Sequence, residues 1–377
     1  MIGHTGGADA PVILPYFAAG AGHLSAARAV GGALEERGCG AELVDAATLG
    51  GRRTAGFYIS SWDWILRHRR AGQLAFAADL ALPPLSRLVN RLATSEAVPR
   101  ARELLDRRRP AVVLATHWGT AHIFAHARRK ARHRPPLFYV FTELGGAHHL
   151  LACGADRYFV MGTAAAAAVR DSGVETSRIE HVAPITHKRF LTVPDRREAR
   201  RRLRLDASRP VVFYGLGGAG IGDAEEFVKA CTRAVPDAVV MVATGRNAAL
   251  RRHLAERFAG DGVIPLPFRD DMEVLLAAAD LAAGKCGILF TLEVMAARRP
   301  FVITQVGAPN ERHSRNFVVR NGYGWYAPTA REFARTLRRA LIDGEVDFAR
   351  RALARAPTPT GAGEVAERVI AAVAGER

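Results

Sequence analysis

Short apolar runs recur along the chain, each followed by a longer stretch that mixes polar and apolar positions. VILPYF (12–17), AVVLATHW (111–118), PLFYVFTE (136–143) and DRYFVMG (156–162) form a first series. A second series starts after 209 with PVVFYGLGG, AVVMVATGR, GVIPLPF, DLAAGKCG and PFVITQV. Runs this short and this apolar predict strands covered on both faces, and the mixed stretches between them predict the crossover helices of a parallel sheet. The pattern therefore predicts an α/β protein with two doubly wound, Rossmann-like domains facing a central cleft. The polar segment 194–210, PDRREARRRLRLDASRP, reads as a linker plus the first helix of the second half. The expected boundaries are 1–190, 208–350 and a terminal helix over 351–377 packing back towards the first domain.

One segment breaks the alternation. Residues 57–66 carry Phe57, Tyr58, Trp62, Trp64, Ile65 and Leu66, followed by Arg67, His68, Arg69 and Arg70. Tryptophans beside a basic cluster suit an anionic membrane surface contacted through 57–70; a core helix with a solvated basic end is the other reading. No run reaches the roughly 20 apolar residues of a membrane span, and the start has neither the basic nor the apolar region of a secretory signal. The four cysteines have no metal-ligand or redox spacing. A cytoplasmic protein, peripheral on the inner face of the cell membrane, is the expectation.

The net charge of +16 changes this picture little. Lysine stands only at 130, 188, 229 and 285, so the charge is almost all arginine and reflects composition as much as function. The basic stretches lack interleaved aromatics and no nucleic-acid motif is present, so nucleic acid is not expected as a partner.

Two glycine loops carry the candidate chemistry. Gly20 and Gly22 follow the first strand, with His23 at the start of a helix. Gly217, Gly218, Gly220 and Gly222 follow the first strand of the second half. That second loop lacks the Gly-Lys-Ser/Thr of a P-loop, and the next strand ends in Arg246-Asn247 where a dinucleotide site needs an acid. DLAAGKCG then leads into a helix starting near Ile288, whose N–H groups could hold a diphosphate, with Glu293 placed to accept from ribose hydroxyls.

In their order, these motifs resemble the GT-B glycosyltransferases that include monogalactosyldiacylglycerol synthase, the processive diacylglycerol glucosyltransferases and the peptidoglycan GlcNAc transferase, over roughly residues 10–345. The family's Gly-x-Gly-His is Gly20-Ala-Gly22-His23, and its Gly-Gly-x-Gly-x-Gly loop is 217–222. Its Gly-x-Asn is Gly245-Arg246-Asn247, and its uracil-reading segment is Phe268 to Met272. Its Lys-Pro-Gly-Gly…Glu element is Lys285-Cys286-Gly287-Ile288…Glu293, and its donor-sugar loop is Ala308-Pro309-Asn310-Glu311. The departures are Cys286 and Ile288 at the diphosphate, Asn310 for the sugar-contacting Gln, Glu143 for Asp after Thr142, and Ala183-Pro184-Ile185 for the interdomain Gly-Ile-Pro.

The resemblance implies an inverting UDP-sugar transferase with the donor in the second domain and a lipid acceptor such as diacylglycerol in the first. Glu143, His23 and His117 are then the candidate bases, with Glu143 and His23 as the catalytic pair. Gly20, Gly22, His117, His148 and His149 lie on the acceptor side. No cofactor beyond the donor and no metal is expected. An acceptor from secondary metabolism, such as a lipid phosphate or an antibiotic precursor, a UDP-sugar 2-epimerase and a non-catalytic nucleotide-sugar-binding protein are the other functions the sequence leaves open.

Overall fold

A computed structural model describes residues 10–18, 22–61, 64–65, 68–217 and 224–375. By contact the chain forms two compact units. The first holds 1–188, 308–310 and 359–377; the second holds 189–307 and 311–358. Segment 194–210 thus falls in the second unit. The terminal helix expected over 351–377 is two helices, Val346–Ala354 and Gly361–Val373. Pro357 and Pro359 lie between them and cannot supply the N–H groups a continuous helix needs. The first of these helices belongs to the second unit, and the last packs on Gly22–Glu35 in the first.

The first unit is built on β1 (Val12–Tyr16), β2 (Ala41–Asp45), β3 (Val112–Ala115), β4 (Leu137–Phe141), β5 (Arg157–Val160) and β6 (Ile179–His181). They form one parallel sheet in the order β2-β1-β3-β4-β5-β6. From β1 the chain goes to one side to make β2 and returns to the other to make β3. Helices after β1 and β3 therefore leave on opposite faces, and a crevice opens at the carboxyl ends of these two strands.

The second unit repeats the plan. Its strands are β7 (Val211–Gly215), β8 (Val239–Ala243), β9 (Val263–Leu266), β10 (Leu281–Lys285), β11 (Phe301–Gln305) and β12 (Gly324–Tyr326). The order is β12-β11-β10-β7-β8-β9, so its switch point lies between β7 and β10. Alternate residues of β7 feed two apolar layers, Val211 and Phe213 on one face, Val212 and Tyr214 on the other. Gly284 near the end of β10 has φ +133, and a Cβ there would stand 2.1 Å from the Gly215 carbonyl oxygen, so only glycine fits.

The segment 57–70 corrects one expectation. Tyr58 is buried and Phe57 packs against the core of the first unit; Trp64 is exposed. Trp62, Leu66 and Arg67 lie outside the described residues, as do the side chains of Arg69 and Arg70. Among the described residues, a run of exposed apolar side chains continues on the next helices, Arg69–Ala81 and Pro83–Thr94. In Pro83–Thr94 the usual pattern is inverted. Leu85, Leu88, Val89 and Leu92 face solvent, with Leu85 53% and Leu92 56% exposed, whereas Ser86, Asn90 and Thr94 are buried. The polar residues are satisfied locally, since Asn90 accepts from the Tyr58 hydroxyl and the Thr94 hydroxyl donates to the Asn90 carbonyl.

In the second unit one buried charge centre ties the amino ends of β7 and β10 to their helices. Asp280 receives Arg200 at 2.7 Å, Arg196 at 2.5 Å, Arg350 at 3.2 Å and the Val211 N–H at 2.8 Å. Arg200 is only 4% exposed. Removing one partner of a buried pair leaves the other uncompensated, so Asp280→Ala is expected to destabilise the second unit by about 3–5 kcal/mol. Urea denaturation of the full chain checks this; a loss within about 0.5 kcal/mol of wild type, the range of a neutral surface change, would contradict the assignment.

Candidate functional site

In the first unit the residues at the switch point gather around His23, which is only partly buried. The histidine stands in the first turn of Gly22–Glu35, at the carboxyl end of β1. Its Nδ1 lies 2.8 Å from the Thr116 carbonyl oxygen, just beyond β3. A carbonyl can only accept, so Nδ1 carries the proton and Nε2 keeps the lone pair. The Thr142 hydroxyl lies 3.0 Å from the same Nδ1, and the Thr116 hydroxyl donates to the His23 carbonyl at 3.0 Å. Three strand ends, β1, β3 and β4, thus fix one imidazole.

His117 backs this ring edge-on at 4.5 Å between centroids. It caps the Trp118–Lys130 helix, its Nδ1 accepting from the Gly119 N–H at 2.9 Å. Behind it, Tyr58 stacks on Phe17 at 4.2 Å and meets His117 edge-on at 5.3 Å. Gly119 is required here: a Cβ would lie 2.5 Å from the Tyr58 ring. Burial lowers the pKa of His23 to about 4 and that of His117 well below the ordinary value. Both rings are neutral at pH 7.

Glu143 follows β4 by two residues and its Oε1 accepts from the Asn310 amide at 2.9 Å. Segment 308–310 groups with the first unit. Asn310, expected at the donor sugar, therefore has its amide N–H on Glu143, while its Oδ1 is buried without a hydrogen-bond partner among the described residues. His148 lies on the next loop, 2.6 Å from Asp79, with His149 stacked on it at 4.3 Å. Gly22 opens the helix of His23; Gly20 lies outside the described residues.

In the second unit the switch point lies between the loop after β7 and the helix after β10. Gly217 has φ +74; Gly218, Gly220 and Gly222 lie outside the described residues. The helix Ile288–Ala296 starts at Gly287 with no side chain capping its first turn. Its N–H groups are those of an anion site. Lys285 ion-pairs with buried Glu311 at 2.9 Å, and Glu311 also accepts from the Gly307 N–H at 2.6 Å. These two expected ligands hold each other and the 307–311 turn. Gly245 takes φ +59, and the Arg246 guanidinium lies 4.8 Å over the Phe268 ring, which is 49% exposed. Asn247 accepts from the Leu250 N–H and caps the following helix, and Met272 packs on the core, so both have structural duties the sequence did not indicate. Glu293 has its carboxyl pushed up to about 8, chiefly by burial and also by Glu273, against the opposing pull of Arg189.

Thr116, Asn90 and Asp79 are the parts of these arrangements that the sequence reading did not single out, and Tyr58 was named there only as part of the aromatic segment 57–66. Thr116 carried a signal, being the residue that ends the β3 run immediately before His117. The other three come from a helical stretch with no motif.

Comparison with known proteins agrees with this geometry. The two parallel six-stranded sheets and their switch points define a GT-B fold. MurG of Acinetobacter baumannii superposes with a TM-score of 0.61 at 14% identity, covering 95% of this chain and 98% of that one. Staphylococcus aureus MnaA, in its UDP co-structure, superposes with 0.63 at 13% identity over 97% of each chain. Within that class the chain resembles monogalactosyldiacylglycerol (MGDG) synthase, whose family model matches residues 23–184. The probable monogalactosyldiacylglycerol synthase 2 of Oryza sativa subsp. japonica is 27% identical over 241 residues, 61% of this chain and 51% of the rice protein. The chain therefore spans about half the length of the curated relatives it matches most extensively. Among the described residues no helix is long and apolar enough to cross a membrane.

The displaced pKa values give the units opposite responses to pH. His23 and His122, both lowered to about 4, bind fewer protons folded than unfolded, so their contribution is complete above the unfolded value of 6.5 and is lost as pH falls towards 4. Glu293, raised to about 8 from 4.5, binds more protons folded, so stability is lost as pH rises from 4.5 to 8. Calorimetric melts from pH 4 to 9 are expected to show acid loss in wild type and in Glu293→Gln alike. The substitution should flatten the decline between neutral pH and pH 8. An unchanged alkaline slope would show that the Glu293 carboxyl is not the group responsible.

Proposed function

We propose that this protein is a glycosyltransferase that moves a sugar from a UDP-sugar to the hydroxyl of a lipid acceptor, with inversion at the anomeric carbon. The observation that carries the reading is the setting of His23. It presents a neutral imidazole whose Nδ1–H is locked on a backbone carbonyl, leaving Nε2 as the proton acceptor. In this reading His23 takes the proton as the acceptor oxygen attacks the anomeric carbon and the bond to the UDP oxygen breaks. Glu143, oriented by Asn310, faces the developing positive charge. The alternative assignment, Glu143 as base, remains distinguishable by mutation.

The donor belongs to the second unit. The first-turn N–H groups of Ile288–Ala296 and the 217–222 loop meet the diphosphate, Phe268 with Arg246 offers a stacking face for the base, and no metal is assigned to the diphosphate. Glu293, largely protonated at neutral pH, both donates to and accepts from ribose hydroxyls. The UDP co-structure of MnaA supports a UDP donor on this fold, and the MGDG synthase relatives support a lipid acceptor.

The solvent-facing leucines of Pro83–Thr94 supply the lipid side. Leu85, Leu88 and Leu92 recur at helical spacing, with Arg87 and Arg91 between them, and an open groove lined by Arg53, Phe57, Val89, Leu92 and Ala93 runs beside them. A helix with an apolar stripe and flanking arginines suits an anionic bilayer surface.

Two experiments test this. His23→Ala is expected to lower the transfer rate about 10²–10⁴-fold with UDP affinity unchanged, and Glu143→Gln to cost less. The reverse ordering makes Glu143 the base, and full transfer in both variants places the base on another residue; no transfer by the wild-type protein removes the transferase reading and favours epimerisation or binding. Separately, replacing Leu85, Leu88 and Leu92 together by Ser is expected to abolish co-sedimentation with anionic vesicles while the melting temperature holds, because these side chains are already in water. Retained vesicle binding would place the lipid contact elsewhere.

A further inference from the structure

We propose that Asp79, His148 and His149 form a binding site for one divalent transition-metal ion, Zn²⁺ by the nature of the donors. The three side chains come from two places in the first unit, Asp79 from the Arg69–Ala81 helix and the histidines from the loop after Glu143. Each offers one ligand atom, and these atoms lie within 4.8 Å of one another. Two imidazoles and one carboxylate are the donor set of an open zinc site, in which water takes the fourth position; magnesium and calcium prefer oxygen alone.

Two features separate this cluster from an ordinary polar network. His149 Nε2 is buried and has no hydrogen-bond partner among the described residues, a state that buried polar atoms avoid unless something else satisfies them. His148 and Asp79, at 2.6 Å, share a proton at the place where an ion would sit. His148 Nδ1 accepts from the Leu150 N–H at 3.2 Å, so Nε2 carries that proton. Metal binding takes the other tautomer: the single ring proton moves from Nε2 to Nδ1, Nε2 gains the lone pair that binds the ion, and the long contact to Leu150 is given up. Tetrahedral zinc with bonds near 2.0–2.2 Å sets its ligand atoms about 3.3 Å apart, so the widest pair closes by about 1.5 Å, within side-chain rotation.

The surroundings are built to hold such a group. His148 packs between Trp118 at 6.1 Å and Phe76 at 6.2 Å, its N–H donates to the Ser172 hydroxyl, and the Ser86 hydroxyl donates to Asp79. An ion here fastens the helix pair 69–94 to the loop that follows Glu143. The sequence reading, which found no acidic metal site, expected no metal.

The test uses tag-free full-length protein stripped with chelator and titrated with ZnCl₂, read by calorimetry and by melting temperature, with Co²⁺ absorption reporting geometry. One ion per chain, a rise in melting temperature and tetrahedral Co²⁺ bands are expected. His149→Ala, which breaks no hydrogen bond in the structure, should leave the metal-free melting temperature unchanged and weaken zinc binding at least about 10-fold. Asp79→Ala should do the same to binding. His253→Ala, on the second unit, should not. Absence of saturable binding, or equal affinity in wild type and His149→Ala, would overturn the proposal.

Discussion

The reversal of strand order in each parallel sheet is the constraint on which the rest depends. Parallel pairing forces every connection to cross a face of the sheet, and the chain changes face only where strand order turns back on itself. In the first unit that point lies between β1 and β3, and in the second between β7 and β10. Every other feature of the two candidate sites is a consequence. His23, Thr116 and His117 meet because the ends of β1 and β3 are neighbours, although the residues are far apart in sequence. Gly215 and Gly284 meet for the same reason, and the absence of a side chain at Gly215 leaves room for the Phe290 ring of Ile288–Ala296.

The two switch points are furnished with opposite physics. Around His23 the crevice is lined by Phe17, Tyr58 and Trp118, and burial strips the histidines of charge. An uncharged, oriented imidazole keeps its lone pair available to a hydroxyl proton, at the cost of the lower basicity that burial imposes, and it is unsuited to binding an anion. Around Ile288 stand the backbone N–H groups of the uncapped first turn and Lys285, which is paired with Glu311. Such a site favours anions without needing a free cation. The fold alone does not dictate this division, since both sheets have the same plan.

Much of this was legible in the sequence, for a definable reason. Strands buried on both faces must be almost wholly apolar, so β1, β3, β4, β7, β8, β10 and β11 stood out as runs, and the glycine loops marked their carboxyl ends. What periodicity cannot report is how a polar side chain is employed. Asn247 and His117 look like ligands in a list of motifs; in the fold one caps a helix and the other caps a helix and backs His23. Lys285 and Glu311 likewise satisfy one another. Helix Pro83–Thr94 was illegible for a different reason. Its apolar stripe has the same spacing whether it faces a core or solvent, and only the burial of Ser86, Asn90 and Thr94 on the opposite side reveals which way it points.

That inverted helix bears on how the first unit works as a whole. A stripe of leucines in water is costly at roughly 25 cal/mol for each Å² of apolar surface left exposed. Such a patch on a folded protein marks a surface that a partner protein, a ligand or a membrane covers. Here the buried side of the helix is not loosely held: Asn90 takes the Tyr58 hydroxyl, Tyr58 stacks on Phe17 and braces His117, and His117 meets the ring of His23. The exposed stripe and the candidate base are therefore connected by a continuous chain of packed aromatic and amide contacts. A rigid linkage of this kind fixes the depth and angle at which His23 stands relative to whatever the leucines enter. If that is a bilayer, the acceptor hydroxyl at its surface arrives at a set height, and the position of the imidazole need not be re-established for each substrate molecule.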